Sequence, residues 1–153
     1  MASALSLLAI HRKTPLPKAL VLFYPVTDIS CESATYREFA NGPGLVPETL
    51  RWMIDAFAPN TTVRTDAIAS PIRAADADLA KFPETLLVVA EVDPLREEGE
   101  MFARKLAKNG VYVTVMRAEG TVHDFVMLNA LANTPATRGT IELAGVKLRK
   151  ALA

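Results

Sequence analysis

Leu86-Leu87-Val88-Val89-Ala90-Glu91-Val92-Asp93-Pro94-Leu95-Arg96 reads as a short apolar strand that stops at an acid and then enters a helix. Leu86 to Ala90 is a continuous apolar run of strand length, the pattern of a strand covered on both faces. Asp93-Pro94 reads as an N-cap followed by proline at the first helical position. Glu97 to Asn109 continues as the clearest helix, with Phe102, Ala103, Leu106 and Ala107 facing one way. Its early glutamates and late Arg104, Lys105 and Lys108 match the helix dipole, and its charges form a solvated face. In an open parallel sheet, ligands bind outside the carboxyl ends of the strands. Asp93 is therefore a helix cap, part of a site, or both.

Outward from this stretch, Ala19 to Tyr24 is a second buried-type strand closed by Pro25, and Val111 to Met116 is a third, β-branched and aromatic. Three further helices read from their apolar spacing. Leu5, Leu8, Ala9 and Arg12 mark the first; Val46, Leu50, Met53, Ile54 and Phe57 the second; Ile141, Ala144, Leu148 and Leu152 the last, opened by Thr134-Pro135. Residues 30–80 form a long connection with one helix (47–57), a length associated with pockets and lids. Strands separated by helices predict right-handed crossovers and a parallel sheet. The expected fold class is α/β: one domain over 1–153, a three-layer αβα arrangement of about three parallel strands flanked by helices.

Lysine plus arginine equals aspartate plus glutamate, 17 against 17. No basic field therefore points to nucleic acid. A single cysteine, Cys31, rules out an internal disulfide and fits a reducing compartment, so a cytoplasmic location is expected. No apolar run is long enough for a membrane span. Met1 to Ile10 is apolar, but its basic residues His11, Arg12 and Lys13 follow it, the wrong order for a secretory signal. It reads as a helix without a start. There is no glycine-rich phosphate loop and no metal-type histidine pair, so no cofactor or metal is expected.

Asp93 and His123 each follow a strand. If those strands are neighbours, the two side chains emerge on one edge of the sheet, where a carboxylate can hold one imidazole nitrogen and free the other as a base. Taken singly, Asp93 reads as a cap and His123 as an ordinary loop histidine. Leu45, Trp52, Met53 and Phe57 line an acyl pocket or form plain core. His11 reads as a solvated cation at a helix end, and Cys31 as a passive thiol.

Four segments then come in one order: Tyr24-Pro25-Val26-Thr27-Asp28; Ala69-Ser70-Pro71-Ile72-Arg73; Phe82-Pro83-Glu84-Thr85 leading into Glu91-Val92-Asp93-Pro94-Leu95-Arg96-Glu97-Glu98-Gly99-Glu100; and Gly120-Thr121-Val122-His123-Asp124-Phe125. This series resembles the hormone-sensitive-lipase-like family of α/β-hydrolases, which are esterases and lipases. The resemblance covers essentially the whole chain. It implies a partial α/β-hydrolase fold with Asp93 as triad acid and His123 as triad base.

Two departures stand out. The family usually has glycine where Asp124 stands. It also carries a serine in a G-x-S-x-G elbow and a glycine-rich oxyanion loop, and this sequence holds neither. Ser3, Ser6, Ser30, Ser33 and Ser70 all lie outside such an elbow. The expectation is a C-terminal half that carries acid and base, acts on a small ester only when completed by an N-terminal half, and is inactive alone. The strand 19–24 is then an exposed edge for self-association or pairing. A non-catalytic α/β module that binds a partner or ligand is the alternative.

Overall fold

A computed structural model describes residues 1–153. Strands β1 (Ala19–Phe23), β2 (Glu84–Val92) and β3 (Val113–Val122) form one parallel sheet with β2 in the middle. The helices are α1 (Ala2–Arg12), α2 (Ala34–Glu38), α3 (Pro47–Phe57), α4 (Asp76–Leu79), α5 (Arg96–Lys108) and α6 (Pro135–Leu152). No helix is long and apolar enough to cross a membrane.

The continuous apolar run of β2 is explained by its two covered faces. Leu87 and Val89 join Leu20, Leu22, Leu7, Phe102, Ala103 and Leu106 in the core toward α1 and α5. Leu86, Val88 and Ala90 join Tyr24, Ala118, Phe125 and Ala144 on the α6 side. The alternation of side chains along one strand thus builds two cores and three layers.

Several elements differ from the sequence expectations. β2 and β3 are longer than their apolar runs, and β3 extends through Gly120 to the residue before His123. The connection 30–80 holds, besides α3, the short helices α2 and α4 and two 3₁₀ turns. α1 buries Ser3, Ser6 and Leu7 and leaves Leu5 exposed. α6 buries Thr137, Thr140 and Ala144 and leaves Ile141, Leu148 and Leu152 exposed. On both helices hydroxyl-bearing residues take most of the buried positions. α3 buries only Pro47 and Leu50. Ala107 is exposed, while Leu106 beside it is fully buried.

α5 also corrects two readings. It begins at Arg96 with Leu95 as its N-cap, so Pro94 lies in the preceding turn and not at the first helical position. Glu98 does not belong to a solvated face: it is 3% exposed. Leu95, Glu98, Phe102 and Leu106 share the i, i+3, i+7 spacing of the inward stripe, and Glu98 is the one charge upon it.

Candidate active site

The register of β2 and β3 decides which loop residues meet. Ala90 faces Ala118, an offset of 28, but Val92 faces Val122, an offset of 30; the shift is a bulge between them. Such irregularities are uncommon in parallel pairs and recur beside active sites. Carried forward without the bulge, Asp93 would face Thr121, and His123 would lie about 7 Å further along the strand. With the bulge, Asp93 faces His123.

The two side chains meet there. His123 Nδ1 lies 2.8 Å from Asp93 Oδ2. Asp93 is fully buried and the His123 side chain is 16% exposed. A carboxylate only accepts, so in the neutral imidazole Nδ1 carries the proton and Nε2 keeps its lone pair. The other Asp93 oxygen, Oδ1, accepts the Leu95 N–H at 2.8 Å. Asp93 therefore closes a side-chain turn ahead of α5 and does not cap the helix itself.

This turn is fastened from outside. Arg96 Nη1 donates to the Glu91 carbonyl at 2.6 Å, and Nη2 to Glu38 at 2.7 Å. The Arg96 guanidinium also lies over the Phe39 ring, 5.0 Å from its centroid. Thr35 Oγ1 donates to the Pro94 carbonyl. α2 thereby holds the acid-bearing turn against α5.

The imidazole has an aromatic wall. The Tyr24 ring centroid lies 4.7 Å from that of His123 and 6.0 Å from that of Phe125. The Tyr24 phenol is pushed up to about 12, first by burial and then by the negative charges of Asp124 and Asp93. It stays a neutral hydroxyl, and its oxygen is buried without a partner. Tyr24 and Asp124 hold left-handed backbone, at φ +36° and +64°. The Asp124 value is one that glycine adopts freely. Asp124 Oδ1 is 3.6 Å from His123 Nε2, beyond hydrogen-bond range.

Glu98 secures the loop that carries Tyr24. Its Oε1 accepts the Thr27 N–H at 2.6 Å and the Asp28 N–H at 3.2 Å. Burial pushes its carboxyl up to about 7, against the lowering effect of those two N–H groups. Its other oxygen has no partner. Tyr24, Glu91 and Glu98 are the supporting residues that sequence reasoning missed. The signal for Glu98 was its position on the apolar stripe of α5.

Of the remaining candidates Leu45 comes nearest the dyad, since Gly44 before it lies against Val122. Leu45 packs on Tyr36, Leu50 and Leu95. Trp52 is 69% exposed and Met53 48%, and Phe57 also faces outward. Two clefts of about 280 and 220 Å³ flank residues 29–34, and neither touches Asp93, His123, Leu45, Trp52 or Met53. Cys31 borders both clefts, and burial together with Asp28 raises its thiol, which fits a passive role. His11 is not simply solvated: its Nε2 lies 3.0 Å from Asp78 Oδ2. No group of three metal-binding side chains occurs.

A model of the alpha/beta hydrolase fold matches residues 1–127. The chain belongs to the α/β-hydrolase family. An esterase of Fusarium pseudograminearum is 40% identical over 152 residues, which is 98% of this chain and 47% of that protein. The ethyl acetate hydrolase of Pseudomonas putida is 32% identical over 124 residues, covering 81% of this chain and 38% of that protein. In structure, carboxyl esterase 2 of the mycorrhizal fungus Tuber melanosporum superposes with a TM-score of 0.97 at 54% identity, over 99% of this chain and 50% of the other. The chain spans about half the length of the curated relatives it matches, or less.

Proposed function

We propose that this α/β-hydrolase chain supplies the acid and the base of a carboxylic-ester hydrolase that works through a Ser-His-Asp triad. The observation that carries this reading is the 2.8 Å contact between buried Asp93 and His123 at the carboxyl edge of the sheet. In the reaction, a serine hydroxyl attacks the ester carbonyl while His123 Nε2 takes its proton. Asp93 holds Nδ1–H and stabilises the imidazolium. The tetrahedral intermediate then collapses, and His123 returns the proton to the departing alcohol. Water, activated by the same Nε2, releases the acid from the acyl-serine.

The 153 residues contain no G-x-S-x-G sequence. On this reading the nucleophile and the oxyanion donors come from a complementary segment, and the chain as it stands does not turn over esters. That segment would pair along β1, whose outer edge has no neighbouring strand. Without it, the same edge favours self-association. The substrate is a small carboxylic ester, in keeping with relatives named as an esterase and an ethyl acetate hydrolase. The 30–80 connection would border the pocket. The apolar surface left bare at Trp52 and Met53, with Leu45 beneath the same connection, supports that position.

The test is to assay the chain alone, and the chain joined to the serine-bearing N-terminal half of the Tuber melanosporum esterase, on p-nitrophenyl butyrate. Turnover by the fusion and none by the chain alone is expected. Turnover by the chain alone, abolished by no serine reagent, would contradict the triad reading. An inert but folded fusion would favour a non-catalytic binding module.

A further inference from the structure

Within the bulge that brings His123 opposite Asp93, one backbone N–H, that of Gly120, donates to a side chain of the neighbouring strand. Between the Ala90–Ala118 and Val92–Val122 pairs, Glu91 on β2 stands against Glu119, Gly120 and Thr121 on β3. Gly120 turns to φ +69°, and a Cβ there would meet nothing within 4 Å. Glycine is thus used for its backbone freedom, not for closeness of packing. Its N–H points back at the neighbouring strand and donates to Glu91 Oε2 at 2.6 Å. The Thr121 hydroxyl closes the other side of the bulge by donating to the Ala118 carbonyl at 2.6 Å.

Glu91 is held at both its ends. Its carbonyl accepts from Arg96 Nη1 at 2.6 Å, and its carboxylate accepts from Gly120. One residue thereby ties the turn that carries Asp93 to the bulge that carries His123. We propose that Glu91 is a positioning residue: its carboxylate locks the two-residue bulge of β3 and so sets His123 in register with Asp93. This deepens the triad reading, and it concerns the geometry of the pair, whether or not an ester is hydrolysed. The bland alternative is an ordinary half-exposed carboxylate at a strand end, whose removal changes nothing at His123.

The structure separates the two. Without the carboxylate, the Gly120 N–H loses its acceptor, and the bond from the Thr121 hydroxyl to the Ala118 carbonyl is the one side-chain bond left within the bulge. The ladder can then continue at the offset of 28, which withdraws His123 from Asp93. Glutamine keeps an oxygen at the same reach, so Glu91→Gln retains the lock while Glu91→Ala does not. The measurement is the tautomer of His123, read from the ¹⁵N shifts of its two ring nitrogens in the full 153-residue chain, together with amide exchange at Gly120.

The wild-type chain and Glu91→Gln are expected to hold the Nδ1–H tautomer with a protected Gly120 amide. Glu91→Ala is expected to lose the single tautomer and to exchange at Gly120 at least about tenfold faster, with protection elsewhere in the sheet unchanged. Glu91→Ala with the wild-type tautomer and protection would overturn the proposal. So would a loss of protection spread evenly over the whole chain, which would make Glu91 a general stability residue. Absence of esterase activity in any of these proteins bears on the triad reading alone.

Discussion

At Asp124 the chain holds an aspartate in the left-handed region, at φ +64°. Non-glycine residues are strained there, although aspartate less than most. Asp124→Gly relieves that strain and offsets it partly with greater freedom in the unfolded chain. It is expected to stabilise the protein by up to about 1 kcal/mol, read as a small rise in Tm. A fall in Tm would mean that the Asp124 carboxylate contributes more through its place near His123 than its backbone costs. Phe102 lies at the other extreme. It is fully buried and meets Phe82 edge-on, with centroids 6.1 Å apart. Phe102→Ala is expected to cost about 3–5 kcal/mol in denaturant unfolding. Both Asp93 and His123 were legible in the sequence, because each follows a strand and precedes a change of element. Their partnership was legible on the condition that the two strands are neighbours, and as what the family resemblance implies; the bulge that aligns them was not, and its one sequence trace is Gly120.

Among the elements, α5 does most to join site and scaffold. Its first turn holds the acid-bearing loop through Arg96, and Glu98 holds the Thr27–Asp28 turn beyond Tyr24. Glu98 keeps its proton to about pH 7 in the folded chain, against an ordinary value of 4.5. Folded protein therefore binds the proton more tightly than unfolded protein. Stability from this group is full below about pH 4.5 and is lost as pH rises through about 7, a change on the order of 3 kcal/mol. Glu98→Gln, neutral at every pH, is expected to flatten this slope in urea unfolding between pH 5 and 8. An unchanged slope would show that Glu98 titrates normally.

The strands and the helix α5 were legible because apolar runs and charge order report them directly. The inward faces of α1 and α6 were not. Beside Leu7 and Ala144 their buried positions are Ser3, Ser6, Thr137 and Thr140, and periodicity of large apolar residues cannot register those four. Ser6 Oγ donates to the Ala2 carbonyl at 3.2 Å and Thr137 Oγ1 to the Phe125 carbonyl at 3.1 Å. Local satisfaction of this kind lets a hydroxyl take a core position.

At the scale of the whole molecule, three parallel strands carry a covered centre and two open edges. β1 is apolar and has no lysine or proline inside it. Edges of that kind pair readily with other strands. The isolated chain is expected to self-associate, with light scattering at high concentration reporting dimers or larger species. A strictly monomeric solution would contradict this. The same edge is where a serine-bearing half of the fold would join, so the fusion with the Tuber melanosporum N-terminal half is expected to be monomeric or less associated than the chain alone.

Asp93 and His123 act as one unit in the proposed triad, joined at 2.8 Å. The most direct measurement is kcat/KM for p-nitrophenyl butyrate by that fusion, with His123→Ala and Asp93→Asn beside it. Each substitution is expected to lower kcat/KM by about 10³-fold or more, through kcat, and the double substitution to cost little beyond the worse single one. Single variants that retain wild-type rates, in a fusion that is folded and active, would contradict the assignment of these two residues as base and acid.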